Sequence, residues 1–96
     1  MIIGRVTGTV VCTQKDDTLM GRKLLIVQPL NIKTMQDSGS PLAAVDCVGA
    51  GNGEVVLVVG GSSARNAVDL NKAAVDQSII GIVDYIEDEK GHIYAK

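Results

Sequence analysis

Short apolar segments separated by glycine-rich or polar turns run along most of this chain, and their pattern is typical of β-strands. The first segment, MIIGRVTGTVV, places an aliphatic side chain or a glycine at every second position, namely Ile2, Gly4, Val6, Gly8 and Val10. These residues are expected to share one inward face of a strand. Glycine on such a face lets a neighbouring strand approach closely or lets the strand coil tightly, as a small barrel requires.

Four further segments also have strand character. They are Arg22–Leu30, which Pro29 is expected to end, Leu42–Val48, Glu54–Val59 and Ser78–Ile86. Alternation in the last segment predicts one face with Ile80, Ile82 and Ile86 and an opposite face with Ile79, Val83 and Tyr85. The polar segment Gln14–Thr18 and the turn-rich segment Lys33–Pro41 are interpreted as loops.

A short helix is predicted over Ser62–Ala67, with Ser62 or Ser63 as its N-cap. The next residues, 68–76, fit either a loop or one more helical turn. A Lys90-Gly91 turn signal leaves both a small hairpin and a mobile tail open. Five short strands and one brief helix predict a mainly β fold, a small five-stranded OB-like antiparallel β-barrel, in a single domain spanning residues 1–96.

The composition limits the classes of partner that this chain is expected to bind. Hydrophobic residues make up 46% of the 96 residues and are almost all aliphatic, so part of this surface is expected to be buried between subunits. The net charge of −2 and the two tyrosines cannot supply the basic, aromatic groove of a nucleic-acid binder. No apolar run approaches the roughly 20 residues of a membrane span, and we expect no signal peptide. A soluble, cytoplasmic protein without membrane or nucleic-acid partners is expected.

Two glycine clusters raise the question of phosphate binding. The segment VGAGNGE has the spacing G-x-G-x-G and precedes a strand, whereas a dinucleotide fingerprint needs G-x-G-x-x-G before a helix. It is therefore interpreted as a tight turn. The second cluster, GGSSAR, lies between a strand and the predicted helix. It fits a capped turn, or else an anion site built from backbone N–H groups and Arg65.

No catalytic constellation emerges from the reactive side chains. Cys12 and Cys47 are 35 positions apart, lie in apolar strands and are expected to be buried, reduced and structural. The single histidine, His92, is in the tail, so neither a Cys–His pair nor a metal site is predicted. Asp46 interrupts an apolar strand, which leaves a solvent-facing position and an intersubunit ion pair open. We expect no enzyme activity, no metal and no cofactor.

Four blocks follow one another along the chain up to Asp84: GRVTGTVVCTQK, LMGRKLLIVQPL, AVDCVGAGNGEVVLVVGGSSAR and VDQSIIGIVD. In this order and approximate spacing the chain resembles the bacterial microcompartment vertex proteins. This family is shared by carboxysomes and by ethanolamine- and propanediol-utilisation shells. The tail from about residue 87 is expected to vary, and the blocks are common to several compartment types.

The resemblance implies an OB-like barrel that assembles as a cyclic homopentamer with a narrow axial opening. Such pentamers cap the vertices of a polyhedral cytoplasmic shell whose facets are hexameric shell proteins. The expected residues at the interface and axial opening are Gly49, Ala50, Gly51, Gly53, Glu54, Ser62, Ser63, Ala64 and Arg65. The expected polar interface residues are Lys15, Arg22 and Asp46. The alternative function is an oligomeric OB-like module that binds a small anion at GGSSAR.

Overall fold

The computed structural model describes residues 1–13, 21–61, 64 and 76–96. Within these residues the strands are β1 Ile2–Val10, β2 Lys23–Leu30, β3 Leu42–Asp46, β4 Val55–Gly60, β5 Gln77–Ile82, β6 Tyr85–Asp88 and β7 Gly91–Ala95. The predicted loop Gln14–Thr18 and, apart from Ala64, the predicted helix Ser62–Ala67 lie outside the described residues. So does the ambiguous segment that follows the helix, up to residue 75. In the part of the chain that is described, no helix has the length and apolarity to cross a membrane.

Strands β1 to β5 close into a barrel in the order β1-β2-β3-β5-β4, with β4 returning to β1. This confirms the predicted mainly β, five-stranded barrel. Four of the seams are antiparallel, whereas β3 and β5 run parallel. An odd number of strands cannot alternate in direction all the way round a closed ring, so one parallel seam is unavoidable. The expectation of a wholly antiparallel barrel is corrected at that seam.

Among the described residues, those that fill the inside of the barrel are aliphatic. Its buried cluster consists of Val6, Leu25, Val27, Ala44, Ala50, Val56, Val58 and Ile79. Each of these residues is at most 2% exposed. β-Branched and small side chains suit so narrow an interior because they pack well on a pleated surface and lose little rotamer freedom there.

A second apolar cluster lies outside the barrel. Val45 of β3 and Val59 of β4 pack with Ala64, which is fully buried. Between them, the buried Ser78 of β5 pairs with both valines, and its Oγ donates a hydrogen bond of 2.8 Å to the Ala64 carbonyl. Ala64 therefore packs on the outer face of β3, β5 and β4.

Strand β1 contains a bulge that the alternation of its sequence does not reveal. Its register against β2 shifts between Val6 and Gly8, so Thr7 is the extra residue. A shift of one residue exchanges the two faces of a strand. Gly4 and Val6 face the core, whereas Gly8 and Val10 belong to the opposite face. The expectation that all of these positions share one face is wrong beyond Val6.

A second bulge corrects the predicted faces of the fifth strand. The register of β5 against β4 shifts at Ile80, which is 36% exposed. Ile79 is fully buried, and Ile82 packs against the same core cluster. Simple alternation predicts opposite faces for these two isoleucines. The extra residue, Ile80, lies between them and brings both to the core face.

Strands β2 and β3 differ from the sequence prediction near their ends. Pro29 does not end β2: it pairs with Gly4, and its carbonyl accepts the Ser38 N–H at 2.9 Å on the side away from β1. The proline nitrogen points to that same outer side, so the missing N–H removes no hydrogen bond between β2 and β1. β3 ends at Asp46, two residues before the predicted end.

The predicted strand Ser78–Ile86 consists of the end of the barrel and the beginning of a hairpin. β5 ends at Ile82, and β6 pairs antiparallel with β7 around the Lys90-Gly91 turn. Of the two possibilities left open for the tail, the hairpin is confirmed. It is tied to the barrel through Lys33, whose Nζ lies 3.1 Å from the Asp88 carboxylate.

Replacement of Gly4 by alanine tests the close approach of β1 and β2. A Cβ at this position would touch the Val27 side chain and come within 2.9 Å of the Gln28 carbonyl oxygen. We expect Gly4→Ala to lower the free energy of unfolding by about 1–3 kcal/mol, because overpacking at a backbone contact forces the strands apart. Denaturant titration measures the loss. Gly8→Ala is the matched control, since its Cβ would meet only the flexible end of Ile26 at 3.2 Å; an equal loss in both variants contradicts the explanation.

Candidate functional site

The glycine turn, defined here as Cys47–Glu54, connects β3 to β4 and closes one end of the barrel. Ala50 at its centre is 1% exposed and belongs to the core cluster. Its methyl group is buried in its own chain, and the predicted place of Ala50 at the interface stays a prediction. Gly49, Gly51 and Gly53 are exposed around it.

The carboxylate of Asp46 holds the first half of this turn. Oδ1 accepts the backbone N–H groups of Val48 and Gly49 at 3.0 Å each, and Oδ2 accepts that of Ala50 at 2.9 Å. The side chain is only 2% exposed, and Lys23 Nζ lies 3.9 Å from Oδ2. The carboxylate is therefore not in a solvent-facing position. The role of Asp46 at an interface stays a prediction. An aspartate that captures the following N–H groups is a known turn signal.

The second half of the turn is bonded to β1. Gly53 donates its N–H to the Val6 carbonyl at 2.8 Å, and Val6 donates its own N–H to the Glu54 carbonyl at 2.9 Å. Within the turn, the Gly51 N–H donates to Glu54 Oε1 at 2.7 Å. Both halves of the turn are thus fixed by hydrogen bonds, so its exposed surface has a defined shape.

Glu54 also connects the turn to the C-terminal end of β7. Its Oε2 lies 2.6 Å from Lys96 Nζ, and the Lys96 N–H donates to the Asp84 carbonyl at 2.8 Å. The hydrogen bond from Lys96, together with that from Gly51, holds the pKa of Glu54 below its ordinary value, and Glu54 raises the pKa of Lys96. The sequence did not indicate this contact, because the two residues are distant in the chain and neither belongs to a shared motif.

The glycines of the turn differ in why the chain needs them. Gly49 and Gly53 have φ values of 79° and 85°, in the left-handed region that side chains disfavour. Gly51 has no such dihedral, and a Cβ there would make only an ordinary 3.6 Å contact with Glu54 Oε1. The fold of the single chain therefore accounts for glycine at 49 and 53 but not at 51.

The second glycine cluster is described only in part. Gly60, Gly61 and Ala64 are placed, whereas Ser62, Ser63 and Arg65, like Lys15, lie outside the described residues. Ala64 is fully buried against its own chain, and its expected place at an interface stays a prediction. Arg22 is among the described residues, and its charge lowers the pKa of the Cys47 thiol. The role of Arg22 at an interface stays a prediction.

The expectation that both cysteines are buried is wrong. Cys12 follows the end of β1 and is exposed, and Cys47 is half-buried. Burial raises the pKa of the Cys47 thiol, and the nearby charge of Arg22 opposes that rise. In the described ranges no three His, Cys, Asp or Glu side chains gather as metal ligands. His92 lies on the hairpin, 3.3 Å from the Glu87 carboxylate.

The variant Asp46→Asn tests whether one carboxylate organises the glycine turn. The asparagine amide has only one acceptor oxygen. Its NH₂ group would face a backbone N–H that a carboxylate oxygen accepts in the unchanged chain. We expect a loss of about 1.5–3 kcal/mol in the free energy of unfolding and faster hydrogen exchange at Val48, Gly49 and Ala50. Asp37→Asn is the control, since that carboxylate is exposed and makes only a 3.7 Å ion pair with Arg5. Unchanged exchange in Asp46→Asn would contradict the assignment.

The comparison with known protein families gives one match over most of the chain. The family described as "Ethanolamine utilisation protein EutN/carboxysome" matches residues 1–84. This range contains the whole barrel and the glycine turn, and it ends immediately before the β6–β7 hairpin.

Individual relatives agree with this match. The bacterial microcompartment shell vertex protein GrpN of Rhodospirillum rubrum is 48% identical over 91% of this chain and 97% of its own length. A solved structure of an ethanolamine utilization protein, EutN, superposes with a TM-score of 0.93 at 40% identity, covering 100% of this chain and 99% of that one. The structure of GrpN, described as a pentameric microcompartment shell protein, has a TM-score of 0.82 at 46% identity over 92% of this chain and 99% of that one. The chain thus belongs to the EutN/CcmL family, whose named relatives are the shell vertex proteins of bacterial microcompartments.

Proposed function

We propose that this chain assembles as a homopentamer and caps the vertices of a bacterial microcompartment shell in the cytoplasm. The proposal is supported by the family match and by the relative GrpN, described as pentameric. A sheet of hexameric tiles is flat, and pentagonal units introduce the curvature that closes it. The predicted partners are therefore four further copies of this chain and the surrounding hexameric shell proteins.

A ring of identical chains needs a heterologous interface, in which two different surfaces of the same chain meet. The observation that carries the placement of one such surface is Gly51. It is an exposed glycine that neither its dihedral nor its surroundings in the chain require. We attribute the missing side chain to another backbone that approaches from outside, so the glycine turn lies where neighbouring chains converge.

The proposed role is structural. The relatives are named as shell vertex proteins, which supports a protein without catalytic activity of its own. The alternative, an anion-binding module at GGSSAR, has no support in those names, nor in the part of that motif that the structure describes. Shell type and enclosed enzymes differ among the relatives, which include GrpN, PduN, EutN and CcmL.

Gly51→Leu tests the proposed location of the interface. The single chain tolerates the side chain, since a Cβ there makes no contact closer than 3.6 Å. We expect the variant to fold but to appear as monomer in native mass spectrometry, while the unchanged chain appears as pentamer. Gly51→Ala, with a smaller side chain, is expected to weaken the ring rather than abolish it.

Glu89→Leu provides the control for added hydrophobicity. Glu89 is exposed at the hairpin, outside the residues that the family shares. This variant is expected to remain pentameric. A pentamer of undiminished stability from Gly51→Leu shows that the glycine turn is not at the interface, and a monomeric unchanged chain at all concentrations contradicts the pentamer itself.

Association with tiles is tested by co-expression with a hexameric shell protein. We expect closed polyhedral particles when the unchanged chain is present, because only pentagonal units close a hexagonal sheet. Electron microscopy of particles produced with Gly51→Leu should show open or elongated bodies. Closed particles of equal number in both preparations would contradict the proposed role at the vertices.

A further inference from the structure

The β6–β7 hairpin packs only lightly on the rest of the chain. Its two strands lie against each other and have at most marginal contact with the strands of the barrel. None of the residues in these two strands is buried. Because a two-stranded sheet has little stability of its own, the hairpin needs contacts from outside its strands to remain folded.

Two ion pairs supply such contacts, one at each end of the hairpin. At the turn between the strands, Lys33 Nζ lies 3.1 Å from Asp88 Oδ2. At the opposite end, where β7 finishes beside the start of β6, Lys96 Nζ lies 2.6 Å from Glu54 Oε2. The first contact comes from the loop after β2 and the second from the glycine turn, so the hairpin connects two separate parts of the barrel.

The two carboxylates divide their oxygens in the same way. In each ion pair one oxygen faces the lysine, and the other accepts a backbone N–H from a nearby turn. For Asp88 that N–H belongs to Lys90, at 2.9 Å, and for Glu54 it belongs to Gly51, at 2.7 Å. Each carboxylate therefore fixes a local turn and a distant lysine together. We call these arrangements the Asp88 clip and the Glu54 clip.

Both clips are open to dissolved ions on the lysine side. The carboxylates are at most 25% exposed, whereas the two lysine side chains are 68% and 48% exposed. The hydrogen bond from the Lys90 N–H, followed by that from Lys33, holds the pKa of Asp88 below its ordinary value, as the bonds described above do for Glu54. Both carboxylates are thus ionised at neutral pH, and salt weakens attraction between charges that water can reach.

We propose that the β6–β7 hairpin is a releasable strap, which opens as one unit when its clips dissociate and transmits that opening to the glycine turn through the Glu54 clip. On release Glu54 keeps only one of its two partners, so its hold on the Gly51 N–H weakens. The first half of the turn, which Asp46 holds, remains fixed. The consequence for assembly rests on the pentamer proposed above.

Hydrogen exchange, measured by NMR at the clip that each variant leaves intact, tests whether the strap opens as one unit. Lys96→Gln is read at the Lys90 N–H, and Lys33→Gln is read at the Lys96 N–H, which donates to the Asp84 carbonyl. We expect exchange at these distant amides to be roughly two- to fivefold faster than in the unchanged chain, the effect of one lost exposed ion pair. A released hairpin exposes both ends because it does not stay paired alone.

Lys90→Gln is the matched control. It removes the same charge from the same hairpin, and in the described part of the chain the Lys90 side chain belongs to no ion pair. Exchange at the Lys96 N–H is expected to stay unchanged in this variant. Added NaCl is expected to accelerate Lys90 N–H exchange in the unchanged chain but not in the double variant Lys33→Gln/Lys96→Gln, which lacks the charges that salt screens.

Stability of the ring tests the transmission to the glycine turn. A less ordered surface loses more conformational entropy on association. We therefore expect Lys96→Gln to raise the concentration at which the proposed pentamer dissociates by at least about twofold relative to Lys90→Gln. Native mass spectrometry over a concentration series measures dissociation, and circular dichroism verifies that each variant is folded.

The outcomes separate the strap from the pentamer. Unchanged exchange at the distant clip in both variants, or equal acceleration in Lys90→Gln, overturns the strap. Faster distant exchange with pentamers of equal stability in Lys96→Gln and Lys90→Gln overturns the transmission to the turn. An unchanged chain that stays monomeric overturns the pentamer alone, and Gly51 N–H exchange in Lys96→Gln then decides the transmission. Faster distant exchange together with easier dissociation of Lys96→Gln supports the whole proposal.

Discussion

Closure of five short strands around a narrow interior is the constraint on which this structure depends. The interior accepts a single cluster of small aliphatic side chains, and β1 and β2 can enclose it only because Gly4 brings their backbones into contact. A chain with 46% hydrophobic residues has more aliphatic surface than this interior holds. Part of the excess lies on the outside of the barrel, where Val45 and Val59 pack with Ala64 while other aliphatic side chains are exposed. Burial between subunits is a common way for so small a domain to cover such surface.

In the proposed pentamer, the glycine turn couples this barrel to assembly. Its centre, Ala50, completes the core, while the carboxylate of Asp46 and the bonds to Val6 fix its exposed part. A surface that is already ordered before association loses little conformational entropy when a neighbour packs on it. The turn thus closes the barrel of its own chain. At the interface that we propose, it would offer a preformed surface to the next chain.

The β6–β7 hairpin stands apart from these relations. It lies beyond the residues that the family match covers, no residue in it is fully buried, and exposed ion pairs from Lys33 and Lys96 join it to the barrel and the glycine turn. A two-stranded sheet of this kind has little stability of its own. The barrel and the turn therefore lie in the range that the family shares, and the hairpin is an addition to them.

The alternation of apolar residues determined the strands and the barrel class. The residue types offered no evident reactive group, and four ordered motifs determined the family. These features are local, so they can be read along the chain. Tertiary structure alone decided the bulges at Thr7 and Ile80, the inward direction of Ala50 and Ala64, and the capture of the turn by Asp46. One extra residue in a strand leaves its composition unchanged but reverses every face that follows, and whether a small residue packs inward depends on partners distant in sequence.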